Sequence, residues 1–468
     1  MLSPKFTRQA ALVRAFVLPA ILIYSLWMCW PATKYYFNTD DIASMGIARL
    51  STYSQDLGSI FSVWNNHGRL AGSLFFRTLY DLFGFTALPF RLGSLLFCLL
   101  NLVLLNALLA RLVRNSWVRY VAMLAAAFNG CFWSIYASAA IITDVLCLTF
   151  TLAGLLYYAT TRRHPVGLAR IVILALITVL AIAAKELGFA LPVILMLFEL
   201  VVEPGELPGY DWQDFKKAIP GLAVPFAVAL VAGLGTIRSS AVYAMGAYRP
   251  EFTPARFLET LTAHSDLLVF RWFALPTEAW IAVWVALLLL ALLSRSRVAI
   301  FGWCFYQVAL LPMAFSTPRQ DAYVLYVAFA GLLMFFAALL DRVVLRLPVL
   351  TATTLLGVLS CLIVYVQFFE LRNPQFTPGG MSTVQSLAED VLRSQPTIRP
   401  GADVLLVDDE FGQEGNQPVM IVRLVYADNT LHVWRRPGGA PGEMPPSPDL
   451  KFDHIFRFVG GHYVQDKQ

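Results

Sequence analysis

The chain has 468 residues, of which 58% are hydrophobic and 14% charged, with a formal net charge of +5. Soluble domains carry roughly 25% charged residues, so a water-soluble globule is excluded and lipid is the solvent this composition requires. Its Lys and Arg sit in short clusters between apolar runs, as cytoplasmic anchors do, and this removes nucleic acid as a partner.

A helical span needs roughly 20 apolar residues. In chain order the runs that qualify are 13–30, 88–110, 118–133, 139–160, 168–184, 187–202, 219–236, 278–293, 298–315, 322–340 and 349–369. The first follows Lys5, Arg8 and Arg14 with no small-residue cleavage site after it, so it reads as a retained span. The two runs flanking Lys185 are short, which suits tilted or shallow segments. Cations cluster in alternate short loops (Arg111/Arg114/Arg119, Arg162/Arg163/Arg170, Lys216/Lys217, Arg295/Arg297, Arg342/Arg346), placing the N-terminus inside and the C-terminus outside. The expected fold is therefore a polytopic α-helical membrane protein with about eleven transmembrane helices. Residues 1–370 form the membrane domain and 371–468 a small extracytoplasmic α/β domain. The six cysteines form no CxxC pair and none lies after residue 370, which excludes a disulfide framework or a thiolate zinc site.

In the C-terminal domain, Ser382 is placed to cap a helix whose apolar face is Val384, Leu387, Ala388 and Val391. Residues 402–407 read as a strand, 419–426 and 431–434 as a hairpin around Asp428-Asn429, and 452–459 as a last strand. The Pro/Gly-rich stretch 437–448 reads as a loop.

Polar residues gather in the first outer loop, 31–87. There Thr39 or Asp40 is a plausible N-cap for a short interfacial helix with Ile42, Met45 and Leu50 as its apolar stripe. Adjacent carboxylates on a helix point about 100° apart, so of Asp40 and Asp41 one faces a site while the other caps or supports. The plain alternative is a solvated acidic pair at a helix N-terminus.

This pattern resembles the glycosyltransferase C superfamily, which includes protein O-mannosyltransferases and the lipid A aminoarabinose transferase. The resemblance rests on Asp40-Asp41 in the first outer loop, then His67-Gly68-Arg69, Tyr80-Asp81-Leu82-Phe83-Gly84 and Phe90-Arg91-Leu92 opening the second span. It continues through Thr143-Asp144, Lys185-Glu186, Leu311-Pro312, Pro318-Arg319 and Tyr323. It implies an inverting hexosyl- or pentosyltransferase of the plasma (bacterial inner) membrane that builds a cell-envelope glycan. The donor would be a polyprenyl-phosphate-linked sugar and the acceptor a lipid, glycan or protein on the extracytoplasmic side. Asp40, at the first acidic position of the motif, would be the general base. Asp41 would orient it or help hold a divalent cation, Mg or Mn; no metal cluster is evident, and Asp40, Asp144 and His67 are the nearest ligand candidates. Lys185 and Arg319 would meet the donor phosphate, joined by Tyr323 one helical turn after Arg319, with His67, Arg69, Glu186 and Asp144 as further donor or acceptor contacts.

Each residue also has a plain reading: interfacial anchors for Lys185 and Arg319, a belt aromatic for Tyr323, an N-cap for Asp144, and a neutralising partner of Lys185 for Glu186. Asp408-Asp409-Glu410 is either a cation-binding turn or a solvated strand end. A transporter or flippase of a lipid-linked sugar is the competing class, but it expects mid-span ionisable residues and an internal repeat, and the chain has no evident repeat. A non-catalytic membrane subunit working through its C-terminal domain is the third.

Overall fold

In lipid every backbone N–H and C=O must be bonded within its own segment, so the uncharged Leu, Val, Ala and Phe runs become helices. The structure, a computed structural model, describes residues 4–50, 52–61, 69–162, 164, 166–203, 212–238, 251–269, 275–317, 322–372, 380–411, 416–436 and 451–466. Eight helical segments among these are long and apolar enough to cross a bilayer. They are built on α1 (Pro4–Cys29), α5 (Ala87–Leu112), α6 with α7 (Ser116–Ala127 and Trp133–Ala137) and α8 (Ile142–Thr161). The later ones are α11 (Trp212–Arg238), α13 (Thr277–Ser294), α15 (Tyr326–Val344) and α16 (Val349–Arg372). The remaining apolar runs form shorter segments: α9 (Leu168–Ala184), α14 (Arg297–Leu310), and a broken stretch around α10 (Leu191–Leu197). That stretch enters through a 3-10 turn at Glu186–Ala190 and leaves through a π-helical turn at Phe198–Val202.

Small residues set one close helix crossing. A Cβ at Gly302 of α14 would lie 2.5 Å from the Phe335 nitrogen of α15, and one at Gly331 would lie 2.7 Å from the Tyr306 nitrogen. The two backbones therefore touch directly, as small residues allow inside a bilayer. One end of the bundle is tied by charge: Arg162 and Tyr158 both donate to buried Glu199, and Asp341 accepts from the Asn115 nitrogen at 2.8 Å.

At the other end the first long loop folds into α2 (Thr39–Leu50), α3 (Tyr53–Phe61) and α4 (Leu70–Phe83). The loop after α11 contains α12 (Pro254–Leu268). Asn38, rather than Thr39 or Asp40, caps α2: its Oδ1 accepts from the Asp41 nitrogen at 2.8 Å while its own nitrogen donates to Asp41 Oδ2 at 3.1 Å. This reciprocal pair is a capping box, and it shifts the helix start ahead of the acidic pair. The buried stripe is Ile42, Met45 and Ala48; Leu50 is exposed, because the helix ends there and its side chain falls on the outer face.

The C-terminal domain packs α17 (Met381–Ser394) and α18 (Gln417–Val425) against a four-stranded sheet in the order β2-β1-β3-β4. β1 (Asp403–Val407) runs parallel to β2 (His432–Arg436) and β3 (His454–Val459), and β4 (His462–Gln465) is antiparallel to β3. Gly380, with φ +76°, stands at the N-cap of α17 where Ser382 is expected. Residues 419–425 are helical, with Tyr426 as the C-cap, and are not the first arm of a hairpin. Their β-branched content suggests a strand, but Pro418, Ile421 and Val422 are buried at helical spacing, and parallel β1 and β2 need a crossover connection. The β3–β4 hairpin turns on Gly460 and Gly461, both at positive φ. The expected loop 437–448 lies outside the described residues.

Candidate active site

Asp41 is the best-anchored carboxylate at the loop-covered end. It is fully buried, and Arg91, near the start of α5, donates to its Oδ2 at 2.8 Å. The Ala140 nitrogen (2.7 Å) and the Ser138 hydroxyl (3.1 Å) donate to Oδ1. Arg91 also reaches back to the Tyr36 carbonyl at 2.6 Å, so one guanidinium pins the chain entering α2 to the start of α5. With donors on both oxygens and no exposure, Asp41 holds no position open for a substrate proton. The four hydrogen bonds its carboxylate accepts among the described residues come from groups of the chain itself, which gives it the geometry of a support at the start of α2.

Asp40 precedes it at the second position of α2 and is exposed. Its carboxylate stands at a helix N-terminus, where the unpaired N–H groups favour negative charge. Four residues earlier, the Tyr36 phenol is pushed up to about 12, first by burial and then by the Glu389 carboxylate of α17.

The link between the Asp41 clamp and the next charged group is short. Ser138 and Ala140 lead directly into α8, whose first turn carries Asp144. Asp144 is buried and accepts from Lys185 Nζ at 2.7 Å; Lys185, 3% exposed, lies 4.8 Å from the centre of the Tyr323 ring. Lys185 comes to this point because α9 stops at Ala184 and the chain becomes extended there (φ −158°, ψ 153°) before the 3-10 turn. A buried ammonium is tolerated only when paired, and Asp144 with the Tyr323 face supplies that partner. Asp144 Oδ1 has no hydrogen-bond partner among the described residues. Glu186 stands 3.8 Å from Arg69, and both lie close enough to act electrostatically on Asp144. Arg69 is half-exposed and takes the left-handed conformation (φ 59°) as it enters α4, an unusual backbone state for a residue with a Cβ.

The structure thus brings together Asp144, Lys185, Glu186, Arg69 and Tyr323. Arg319 and His67 lie outside the described residues. Arg91, Asn38 and Ser138 are the supports that reading the acidic pair alone misses. Arg91 stands in the sequence motif that opens the second span, without its partner Asp41 being evident there.

Among the described residues no three His, Cys, Asp or Glu side chains converge to hold a metal. Asp144 already faces an ammonium and both oxygens of Asp41 are engaged. Of the three ligand candidates, Asp40 is exposed on α2 and His67 lies outside the described residues.

No family model and no curated protein matches the chain. Among solved structures it is similar to the crystal structure of ArnT from Cupriavidus metallidurans bound to undecaprenyl phosphate. The similarity covers 91% of this chain and 86% of that one, with a TM-score of 0.53 and 14% sequence identity. The chain shares the overall fold of that structure. On that fold, the exposed Asp40, the Asp41–Arg91 clamp and the Lys185–Asp144 pair all lie at the end of the bundle that carries the C-terminal sheet domain.

Proposed function

We propose that the chain is an integral membrane glycosyltransferase that takes a sugar from a polyprenyl-phosphate donor and passes it to an acceptor hydroxyl with inversion. The observation that supports this most is the pairing of an exposed carboxylate on a rigidly clamped helix start with a cationic cluster reached from the same clamp through residues 138–144. The fold neighbour was crystallised with undecaprenyl phosphate, which supports a donor of that class.

In this reading Asp40 accepts the acceptor's proton as its oxygen attacks the anomeric carbon. The bond from that carbon to the phosphate oxygen breaks on the opposite side, and the electron pair leaves with the polyprenyl phosphate. Charge builds on the departing phosphate, so positive groups beside it stabilise the transition state more than the ground state. Arg69, half-exposed, makes the direct contact; buried Lys185, held by Asp144, contributes its field from behind. Arg162, Arg170 and Arg342 occupy the opposite end of the bundle, and positive-inside bias supports an extracytoplasmic site.

The test is transfer from a labelled polyprenyl-phosphate sugar in proteoliposomes. A new glycosidic bond is expected; movement of the donor across the bilayer without one would favour a flippase instead. Arg69→Asn, which keeps a side chain tolerant of the left-handed backbone, should raise the donor KM by roughly 10–100-fold. An unchanged KM would remove Arg69 from the phosphate.

A further inference from the structure

We propose that the C-terminal sheet domain is a positioning element for the site, fixing the axis of α2 and so the direction in which Asp40 points. This rests on the reading of Asp40 as proton acceptor, and it assigns the domain a part in turnover.

A 12-residue helix is marginal on its own in water, so its orientation is set by what it packs against. The Asp41–Arg91 clamp fixes one point of α2. The C-terminal domain touches the helix at three further levels. At its start, Thr39 rests on Gly380, where a Cβ would come within 2.9 Å of the threonine methyl. At its middle, Gly46 receives Met420 of α18; a Cβ there would lie 2.6 Å from the methionine sulfur. At its end, Asn429 Nδ2 donates to the Arg49 carbonyl at 3.2 Å, and Arg49 reaches the Ala427 carbonyl at 3.5 Å.

The neighbouring α4 joins the same contact. Tyr80 donates its hydroxyl to the Leu424 carbonyl of α18, and its ring lies 4.5 Å beneath the Arg49 guanidinium. Arg77 of α4 donates to the Ala48 carbonyl at 3.0 Å. So α2 is held between α4 and α18 along its length. A domain needed only for solubility or partner binding has no reason to grip this one helix at its start, middle and end. A rotation of α2 about the Asp41 clamp would swing the adjacent Asp40 away from the acceptor.

The test uses the full chain and a complementary pair of changes. Gly46→Leu keeps a strong helix former but fills the space Met420 occupies. It should lower kcat on the order of 100-fold, the loss expected from a displacement of about 1 Å at a reacting group, with the donor KM within about 2-fold. Hydrogen exchange over 417–425 should rise in parallel. Adding Met420→Ala should restore both rate and protection to within a few-fold. Asn429→Leu, at an exposed rim position, loosens the far anchor without touching the core and should give a smaller kcat loss with KM unchanged.

Increased exchange in α18 with full turnover would overturn the inference and leave the transferase reading standing. So would a rate loss in folded Gly46→Leu that Met420→Ala does not relieve. A wild-type protein with a docked domain and no transfer from any polyprenyl-phosphate donor would instead end the transferase reading, and the positioning role with it.

Discussion

Asp40→Asn should lower kcat by roughly 10²–10⁴-fold, the range expected when a positioned general base is lost, with the donor KM nearly unchanged. The change is nearly isosteric and the residue is exposed, so folding should not report it. Its neighbour Asp41 keeps the capping box and the Arg91 pair, so the start of α2 stays where it was. What disappears is the one carboxylate at the helix start that solvent, and hence an acceptor, can reach. Initial rates with a labelled donor measure the effect, with thermal unfolding as the control. Full turnover by the variant would require another base.

The second large effect falls on stability. Asp41→Ala leaves Arg91 as a fully buried guanidinium without its carboxylate, and breaking such a pair from one side costs about 3–5 kcal/mol. Three further donors lose their acceptor as well: the Asn38 nitrogen, the Ala140 nitrogen and the Ser138 hydroxyl. Asp41→Ala is therefore expected to lose folded protein, seen as lower abundance and a lower melting temperature in detergent, while Asp40→Asn does not. Arg91→Met should behave like Asp41→Ala. The double variant should be less unstable than the sum of the two, because neither charge is then left alone. If Asp41→Ala proved as stable as wild type yet inactive, Asp41 would be a chemical participant and its part as a support would fall.

The two carboxylates look equivalent in sequence and diverge only through partners far along the chain: Arg91 is fifty residues on and Ala140 about a hundred. Composition makes the apolar helices legible because lipid leaves the backbone no other way to bond. It also marks the acidic pair, since charge in a membrane protein is sparse. It does not reveal contacts between segments. Lys185 and Asp144, 41 residues apart, each had a credible reading as an interfacial anchor or a cap, and only their 2.7 Å contact turns them into one buried pair. Residues 419–426 failed for a local reason: Val, Ile and Leu suit a strand, and the sheet that turns the segment into a crossover helix lies elsewhere in the chain. The stripe on α2 was misjudged at Leu50 because a sequence does not show where a helix face stops being covered.

One measurement reaches the central claim most directly: a map of the protein with a polyprenyl phosphate bound. The account predicts the phosphate within ion-pair reach, about 4 Å, of Arg69, above the Lys185–Asp144 pair, with Asp40 across the space a sugar would fill. A phosphate seated at the opposite end, beside Arg162 and Arg170, or one bound with Asp40 turned away from it, would contradict the account.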